Sequence, residues 1–179
     1  MLVLSFRRVV QQQPRCDRTP VYPAGGLLVE VHVRNARPTD LDAAVRLIST
    51  DGADAAAGHG DADFLRSLLY VPSATVVVAE AERQVVGVGV LSIRPSVRSG
   101  PFVGVIDELG LAGAKLDAAG RRDAGDAIVE HLAASARNKG CTRVEASEPL
   151  ASAEPSRWKR LGFASRGRTL SRPLDRSIG

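Results

Sequence analysis

The sequence is poor in cysteine, in aromatic residues and in long apolar runs, and each shortage excludes a class of protein. Its 179 residues include two cysteines, Cys16 and Cys141, which form no disulfide framework and lack the spacing of metal ligands. Aromatic residues make up 4% of the chain, fewer than a protein that stacks nucleobases usually carries. No apolar run approaches the ~20 residues of a membrane helix, so no membrane span is predicted.

Signals for export and for metal binding are also missing. The apolar start, Met1–Phe6, is shorter than a signal-peptide core, and basic residues follow it instead of preceding it. The three histidines, His32, His59 and His131, are scattered, and no two have metal-ligand spacing. We therefore expect a cytoplasmic protein without a metal site.

What the chain does contain is typical of one globular domain. Hydrophobic residues are 44% and charged residues 25% of the sequence. Residues 1–27 have no sustained period and include Gln11–Gln13 and a Gly25–Gly26 pair, so we predict a flexible N-terminal extension. Residues 28–174 are predicted to form a single domain, and residues 175–179 a short tail.

The net charge of +4 is unevenly distributed. Residues 1–28 hold four arginines and one aspartate, and residues 157–179 hold seven basic residues and one aspartate, whereas the stretch between them is acidic. A nucleic-acid-binding protein usually carries its positive charge on the folded body. Nucleic-acid binding through basic ends is therefore the least favoured hypothesis, and an acidic body is compatible with a cationic partner.

Hydrophobic periodicity predicts the elements of an α/β fold. Apolar–polar alternation and short apolar runs predict strands at 29–34, 75–79, 85–91, 102–111, 142–146 and 163–170. Helical spacing and capping signals predict helices that begin near Thr39, Asp61, Arg122 and Pro155. The stretches 51–60 and 94–101 are predicted to be loops. Thr39 and Asp42 have the spacing of a capping box at the first helix.

The order of these elements predicts the architecture of the sheet. Two strands joined by a short turn near Glu82 and Arg83 indicate an antiparallel hairpin. A long helix, Arg122–Lys139, between two strands indicates a parallel βαβ unit. Gly87 and Gly89 share one face of their strand, which is typical of a close approach by another group. We predict a mixed, mainly antiparallel sheet with a central parallel βαβ unit and helices on both faces.

Five segments resemble, in the right order, the GNAT superfamily of acetyl-CoA-dependent N-acyltransferases. The resembling segments are Val33–Leu41, Glu80–Gly87, Ile106–Leu111, Glu130–Cys141 and Arg157–Phe163. The last of them, Arg-Trp-Lys-Arg-Leu-Gly-Phe, is close to the signature Phe-Tyr-x-Lys-Leu-Gly-Phe of that family. The resemblance covers about residues 29–174 and implies a GNAT-like sheet. It also implies transfer of an acetyl or other acyl group from acyl-CoA to a primary amine.

The resemblance further implies a site for acetyl-CoA as co-substrate. The strand 102–111 and the strand 142–146 would receive its pantetheine arm, and backbone N–H groups near Leu109–Leu111 would polarise the thioester carbonyl. The start of the long helix would hold the pyrophosphate. The residues that the resemblance assigns to this cofactor are Leu109, Gly110, Leu111, Arg121, Arg122, Asp123, Ala124, Gly125, Asp126 and Ala127.

The pyrophosphate loop departs from the family pattern Arg/Gln-x-x-Gly-x-Gly/Ala. Alignment on the helix that follows places Gly125 on the last glycine and Asp123 on the first; a shifted frame, Arg122-x-x-Gly125-x-Ala127, also satisfies the pattern. The loop is about four residues longer than is usual in the family. A carboxylate beside a pyrophosphate repels it, so we predict weak cofactor binding.

The candidates for catalysis are three carboxylates. The acceptor amine must be neutral to attack a thioester, and a general base serves that need. Glu145 and Glu108 are equally good candidates, followed by Asp107, which alternation places on the opposite face of the strand from Glu108. Trp158 stands where many relatives have a tyrosine general acid, and an indole N–H cannot act as an acid at neutral pH.

Two classes of function follow from these residues. The first is an N-acetyltransferase that acts on a small-molecule or peptide amine, as a monomer or a homodimer. The second is a GNAT-like binding or regulatory domain without catalysis, which the altered loop and Trp158 favour.

Overall fold

The chain folds around one six-stranded sheet whose strands follow one another in sequence order. The computed structural model describes residues 18–19, 30–51, 62–97, 100–112 and 116–164. The strands are β1 (Arg18–Thr19), β2 (Val31–Asn35), β3 (Ala74–Ala81), β4 (Gln84–Ser96), β5 (Gly100–Leu111) and β6 (Val144–Ala146). The helices are α1 (Leu41–Asp51), α2 (Ala62–Leu68), α3 (Ala118–Asn138), α4 (Glu148–Ala153) and α5 (Pro155–Arg160).

The pairing of the strands confirms the mixed sheet. Strands β1 to β5 pair antiparallel with their neighbours, and β5 pairs parallel with β6. The parallel pair is joined by α3, as the βαβ prediction requires. At the turn between β3 and β4, Glu82 and Arg83 have φ angles of 50° and 64°. Two left-handed residues in succession form the turn whose twist suits a two-residue hairpin, so the hairpin prediction is also confirmed.

Helices cover both faces of the sheet, as predicted. Helix α3 packs Ile128 and Leu132 against one face, in a cluster that includes Val77, Leu91 and Ile106. On the other face, α1 and α2 bury three residues against the sheet, namely Leu41, Ala44 and Leu65. Alternate residues of β3 and β4 therefore face different helices, and the central strands are buried on both sides.

The glycines of β4 make room for α3. A Cβ on Gly87 would lie 2.8 Å from the side chain of Ile128, and one on Gly89 would overlap the same residue. The close approach that the sequence predicts at these glycines is therefore made by a helix side chain.

Several boundaries differ from the prediction. Strand β4 continues to Ser96 and β5 begins at Gly100, so most of the predicted loop 94–101 is strand. Helix α3 begins at Ala118 instead of Arg122, because the Asp117 side chain caps it by accepting from the Gly120 N–H at 2.7 Å. Helix α4 was not predicted.

The first helix is capped by a different residue from the one predicted. A single turn of 3-10 helix, Pro38–Asp40, precedes α1, and the carboxylate of Asp40 accepts from the Arg37 N–H at 2.7 Å. The predicted pair Thr39 and Asp42 does not form the cap. The predicted loop 51–60 lies almost wholly, and the predicted strand 163–170 mostly, outside the described residues. Strand β1 falls within the segment 1–27.

Candidate functional site

A β-bulge interrupts the pairing of β4 with β5 in the middle of β5. Val90 pairs with Glu108 and Leu91 pairs with Ile106, so Asp107 is an extra residue on β5. The pairing of β5 with β6 ends at nearly the same point, because the parallel register covers only Gly104–Ile106 on β5. Beyond Ile106, β5 therefore stays paired with β4 but no longer pairs with β6, and an opening forms beside β5.

The backbone of β5 beyond the bulge offers hydrogen-bond donors to this opening. The Ala112 N–H donates to the Val86 carbonyl at 2.8 Å, on the β4 side. Alternation along an antiparallel strand then directs the Gly110 N–H toward β4 and the Leu109 N–H away from it. On the β6 side, the Ser147 N–H donates to the Ile106 carbonyl at 3.0 Å and closes the inner end of the opening.

The predicted carboxylates Asp107 and Glu108 both lie at the mouth of this opening. Glu108 is opposite Val90, whose side chain belongs to the cluster under α1 and α2, so Glu108 is on that face of the sheet. Glu108 is exposed, yet partial burial and then the nearby Asp107 carboxylate raise its pKa. The bulge breaks the strict alternation that was expected to keep these two carboxylates on opposite faces. A carboxylate with a raised pKa is the better proton acceptor near neutral pH.

Glu145 has different surroundings from Glu108. Its carboxylate accepts from Arg94 at 2.7 Å and from Arg143 at 2.8 Å. Burial alone would raise the pKa of Glu145, but the hydrogen bonds from Arg143 and Arg94 outweigh it, and the pKa is lowered. A carboxylate held by two guanidinium groups is a weak base, and it ties β4 to β6.

Gly110 and Leu111 complete the predicted strand residues of the site. A Cβ on Gly110 would lie 2.8 Å from the backbone carbonyl of Leu47 in α1, so this glycine permits contact between α1 and β5. Leu111 is buried in the cluster under α3. Both residues therefore pack against a helix, in addition to the backbone groups that they place at the end of β5.

The start of α3 carries two arginines near its positive end. Arg121 and Arg122 are exposed, and no ion pair to either is found among the described residues. The Asp117 carboxylate already occupies the Gly120 N–H. A cationic side chain in the first turns of a helix is electrostatically unfavourable unless an anion balances it.

The remaining predicted cofactor residues, Asp123 to Ala127, lie farther into α3 than expected. Because the helix starts at Ala118, their N–H groups lie beyond its first turn, where intrahelical hydrogen bonds form. Gly125 faces α5, and a Cβ there would lie 2.8 Å from the guanidinium carbon of Arg157. Asp126 accepts from Arg160 at 2.8 Å and lies 3.4 Å from the Arg157 Nε. These residues join α3 to α5.

Trp158 is buried where α5 packs against α4. It is 5% exposed, and its indole N–H donates to the Leu150 carbonyl at 2.8 Å. Its ring meets that of Phe163 edge to face, with centroids 5.0 Å apart. The indole therefore fixes α4 against α5.

Comparisons with known proteins find matches by structure and none by sequence. No protein-family model matches the chain, and no curated protein matches it. Solved structures do match. A transcriptional regulator from Bacillus halodurans is 16% identical, with a TM-score of 0.68, over 80% of this chain and 99% of that one. An aminoglycoside N-acetyltransferase in complex with CoA is 17% identical, with a TM-score of 0.64, over 86% and 98%.

A plant enzyme gives the same result. Glucosamine-6-phosphate N-acetyltransferase from Arabidopsis thaliana is 15% identical, with a TM-score of 0.64, over 81% of this chain and 99% of that one. The chain has the GNAT fold. The fold implied by the five sequence segments is thereby confirmed.

Another concavity of the GNAT fold lies at the opposite end of the sheet. A cavity of about 300 Å³ is lined by residues that include Asn35, Tyr70 and Lys139. The Lys139 ammonium donates to the carbonyls of Pro72 at 2.9 Å and Ala74 at 2.7 Å, and to the Thr75 hydroxyl at 2.9 Å. These bonds use its three protons within the protein. This cavity is separate from the opening beside β5.

Among the described residues, no helix has the length and apolarity needed to cross a membrane.

Sequence reasoning missed two residues that shape the site. Asp117 stands three residues before Gly120, which is the spacing of a helix cap, so a signal for it was present. Arg157 stands in a run of basic residues that is typical of a solvent-exposed helix. No sequence signal indicates its burial, which depends on Gly125, 32 positions earlier in the chain.

Proposed function

We propose that this protein is an N-acyltransferase that moves an acetyl or other acyl group from acyl-CoA to a primary amine. The observation that supports this most directly is the opening beside β5, where the bulge and the loss of β6 pairing coincide. The solved structure with CoA and the other acetyltransferases of this fold support the same reaction class.

The residues fit the thioester arm of acyl-CoA at this opening. Acetyl-CoA, when bound, supplies a thioester carbonyl that an amine attacks. The Leu109 N–H, directed away from β4, would donate a hydrogen bond to that carbonyl oxygen and stabilise the negative charge that develops on it. Trp158 and Leu150 would exclude water from the inner side of the opening.

The phosphate end of the same molecule would be held by two of the residues predicted for it. Arg121 and Arg122, near the start of α3, carry charge suited to phosphate. The Asp117 carboxylate competes with a phosphate for the N–H groups of the first turn. Weak binding of acyl-CoA is therefore still expected, with Asp117 rather than Asp123 as the opposing charge.

Glu108 is the candidate general base on the face of α1 and α2. Its raised pKa keeps it a competent proton acceptor near neutral pH, and no ion pair with a basic group is found for it among the described residues. Glu145, which is bound by Arg94 and Arg143, is less suited to accept a proton. Asp107 would act through its charge, which raises the pKa of Glu108.

The test is release of free CoA from acetyl-CoA in the presence of candidate amines. Polyamines, amino sugars, aminoglycosides and lysine peptides form a suitable panel, and matched tertiary amines, which give no amide, are the control. Because the chain contains two cysteines, CoA should be measured by chromatography instead of by a thiol reagent. Amine-dependent release with an acylated product by mass spectrometry is expected.

Two other outcomes would change the interpretation. If calorimetry shows no binding of acetyl-CoA, the proposal is wrong. If acetyl-CoA binds and no amine in the panel is acylated, the buried Trp158 in the general-acid position favours the binding-domain alternative.

A further inference from the structure

Arg157 is a buried cation on a helix that has few other means of attachment. Helix α5 is six residues long, and its buried residues are Arg157 and Trp158. The Arg157 side chain is 6% exposed. A charged group is almost never buried to this degree unless it is paired, so the contacts of Arg157 must explain its position.

Those contacts all involve α3 and the start of α5. One terminal nitrogen of Arg157 lies 3.0 Å from a Glu154 carboxylate oxygen, and its Nε lies 3.4 Å from Asp126 Oδ1 without forming a hydrogen bond. Asp126 is shared with Arg160, which binds it through two nitrogens. Arg157 and Arg160 therefore attach two successive turns of α5 to one carboxylate on α3.

The space for the guanidinium exists because residue 125 is glycine. A Cβ at that position would lie 2.8 to 2.9 Å from the guanidinium carbon and its two terminal nitrogens. Glycine in a helix interior is less favourable than alanine, so its use here has a packing reason. Glycine at this position leaves the space that the Arg157 guanidinium fills.

The position of α5 determines the position of Trp158. Trp158 follows Arg157 directly, and its indole holds the Leu150 carbonyl of α4. Helix α4 contacts β5, and Trp158 belongs to the same apolar cluster as Leu150 of α4 and Leu109 of β5. A rotation of α5 on α3 would move Trp158 and α4 relative to the Leu109 N–H.

We propose that Arg157 is a positioning residue, which acts through Asp126 and the space left by Gly125 to hold α5 and Trp158 in the geometry that receives the thioester arm of acyl-CoA. This inference rests on the proposed function, because it concerns the fit of the same substrate. It assigns Gly125 to the support of Arg157 instead of to direct contact with a phosphate.

The experiment compares four variants at this junction with one control. Arg157→Gln removes the charge, Arg157→Lys keeps it without the planar fork, Asp126→Asn removes the shared partner, and Gly125→Ala displaces the guanidinium without altering it. The control, Arg66→Gln, breaks an exposed ion pair of 2.7 Å with Asp63 on α2. Trp158 is the single tryptophan, so its emission reports on the surroundings of its indole in the free protein.

We expect Arg157→Gln, Asp126→Asn and Gly125→Ala each to shift the Trp158 emission to longer wavelength and to raise the Kd and KM for acetyl-CoA about tenfold, with a smaller effect on kcat. Arg157→Lys should recover part of the loss, and Arg66→Gln should change nothing. The double variant Gly125→Ala with Arg157→Gln should be no worse than either single variant, since both act on one contact.

Three results would distinguish a failure of the proposed function from a failure of the positioning role. If the wild type does not bind acetyl-CoA, the proposed function is wrong and this inference fails with it. If the wild type binds and folded Arg157→Gln and Gly125→Ala bind equally well, the inference alone is overturned. If Gly125→Ala weakens binding while Arg157→Gln and Asp126→Asn do not, Gly125 contacts the ligand directly and the positioning role is wrong. Should Arg157→Gln fail to fold, Asp126→Asn and Gly125→Ala decide together: both weaken binding if the positioning role holds, and unchanged binding by Asp126→Asn overturns it.

Discussion

Glu108 and Glu145 are the same residue type on the neighbouring strands β5 and β6, but their environments shift their pKa values in opposite directions. Partial burial and Asp107 raise the pKa of Glu108, and Arg143 with Arg94 lowers that of Glu145. A carboxylate with a lowered pKa is a weaker base, whereas one with a raised pKa is a stronger base. The same substitution at the two positions is therefore a matched comparison.

We predict that Glu108→Gln lowers kcat for amine acylation by about 100-fold, while Glu145→Gln changes it by less than about threefold. In the wild type, the rate should fall as the pH drops through the raised pKa of Glu108, because the protonated carboxyl cannot accept a proton. This acidic limb should disappear in Glu108→Gln. Equal pH–rate profiles in all three proteins would show that neither carboxylate is the base.

Asp40 is a buried carboxylate whose partner is also largely enclosed. Its two oxygens lie 2.7 and 3.0 Å from Arg34, which also donates to Glu80 at 2.8 Å, so β2, β3 and the start of α1 are joined. The hydrogen bonds from Arg34 outweigh burial and lower the pKa of Asp40. A group whose pKa is depressed by folding stabilises the protein above its unfolded pKa, and this contribution is lost as the pH falls.

We predict that Asp40→Asn reduces the free energy of unfolding by about 3 kcal/mol at neutral pH, because it leaves part of the Arg34 charge unpaired. The difference between the two proteins should shrink as the pH is lowered below about 4, where the carboxyl of the unfolded wild-type chain becomes protonated, and should be lost once the folded carboxyl is protonated as well. Urea denaturation at a series of pH values measures this. A constant difference down to the lowest pH at which both proteins fold would contradict the pairing.

At the scale of elements, the contact of α1 with β5 depends on one missing side chain. A Cβ on Gly110 would lie 2.8 Å from both the carbonyl carbon and oxygen of Leu47, and backbone atoms cannot move aside as a side-chain tip can. A Cβ on Gly120, in the first turn of α3, would meet side-chain atoms instead, namely the Asp117 carboxylate at 3.1 Å and Leu116 at 3.4 Å. The two glycines thus differ in how firmly their neighbours are fixed.

We predict that Gly110→Ala lowers the free energy of unfolding by about 2 kcal/mol through overpacking. Gly120→Ala should be neutral or stabilising by up to about 1 kcal/mol, since alanine is the better helix former. Thermal and urea denaturation of the two variants provide the comparison. Equal stability of Gly110→Ala and the wild type would mean that α1 moves freely on β5.

The predictability of these elements follows from how local their causes are. The strands β3 and β4, their turn at Glu82–Arg83 and the long helix α3 come from periodicity within a few residues, and the sequence predicts them. The start of α3 was placed four residues late because Ala118 to Arg121 have no apolar period, and only the Asp117 cap extends the helix. The bulge at Asp107 depends on register with β4, which no window of the sequence records.

The candidate site was predicted less completely than the fold for the same reason. Leu109 and Glu108 could be placed on the correct strand, because the motif that identifies them is continuous in sequence. The contacts of Gly125 and Asp126 with Arg157 could not be predicted, since they depend on a guanidinium from another helix. The residue type of Trp158 excludes an acid role, but its burial and its bond to the Leu150 carbonyl depend on how α5 packs against α4.

At the scale of the whole molecule, the segment 1–26 is predicted to be dispensable. Within the described residues it contributes β1, whose contact with the sheet is the two pairs Arg18 with His32 and Thr19 with Val31. Its deletion should change the melting temperature by less than about 2 °C, the size of a surface change in a domain of this length. A fall of about 10 °C would show that the segment packs against the body.

Because each strand pairs with the one next in sequence, the sheet also has a preferred order of assembly. The pairs β3–β4 and β4–β5 are antiparallel and joined by short loops, and such hairpins form quickly. The parallel pair of β5 and β6 must wait until α3 has crossed the sheet. We expect truncation of Val144 in β6 to Ala to accelerate unfolding with little effect on the refolding rate, whereas Val78→Ala in β3 slows refolding. Stopped-flow kinetics of the two variants would reveal the opposite order if β6 docks early.

If β6 pairs last, the opening beside β5 is the last part of the molecule to form and the first to be lost. A ligand bound there should therefore lengthen the lifetime of the folded state more than it speeds folding.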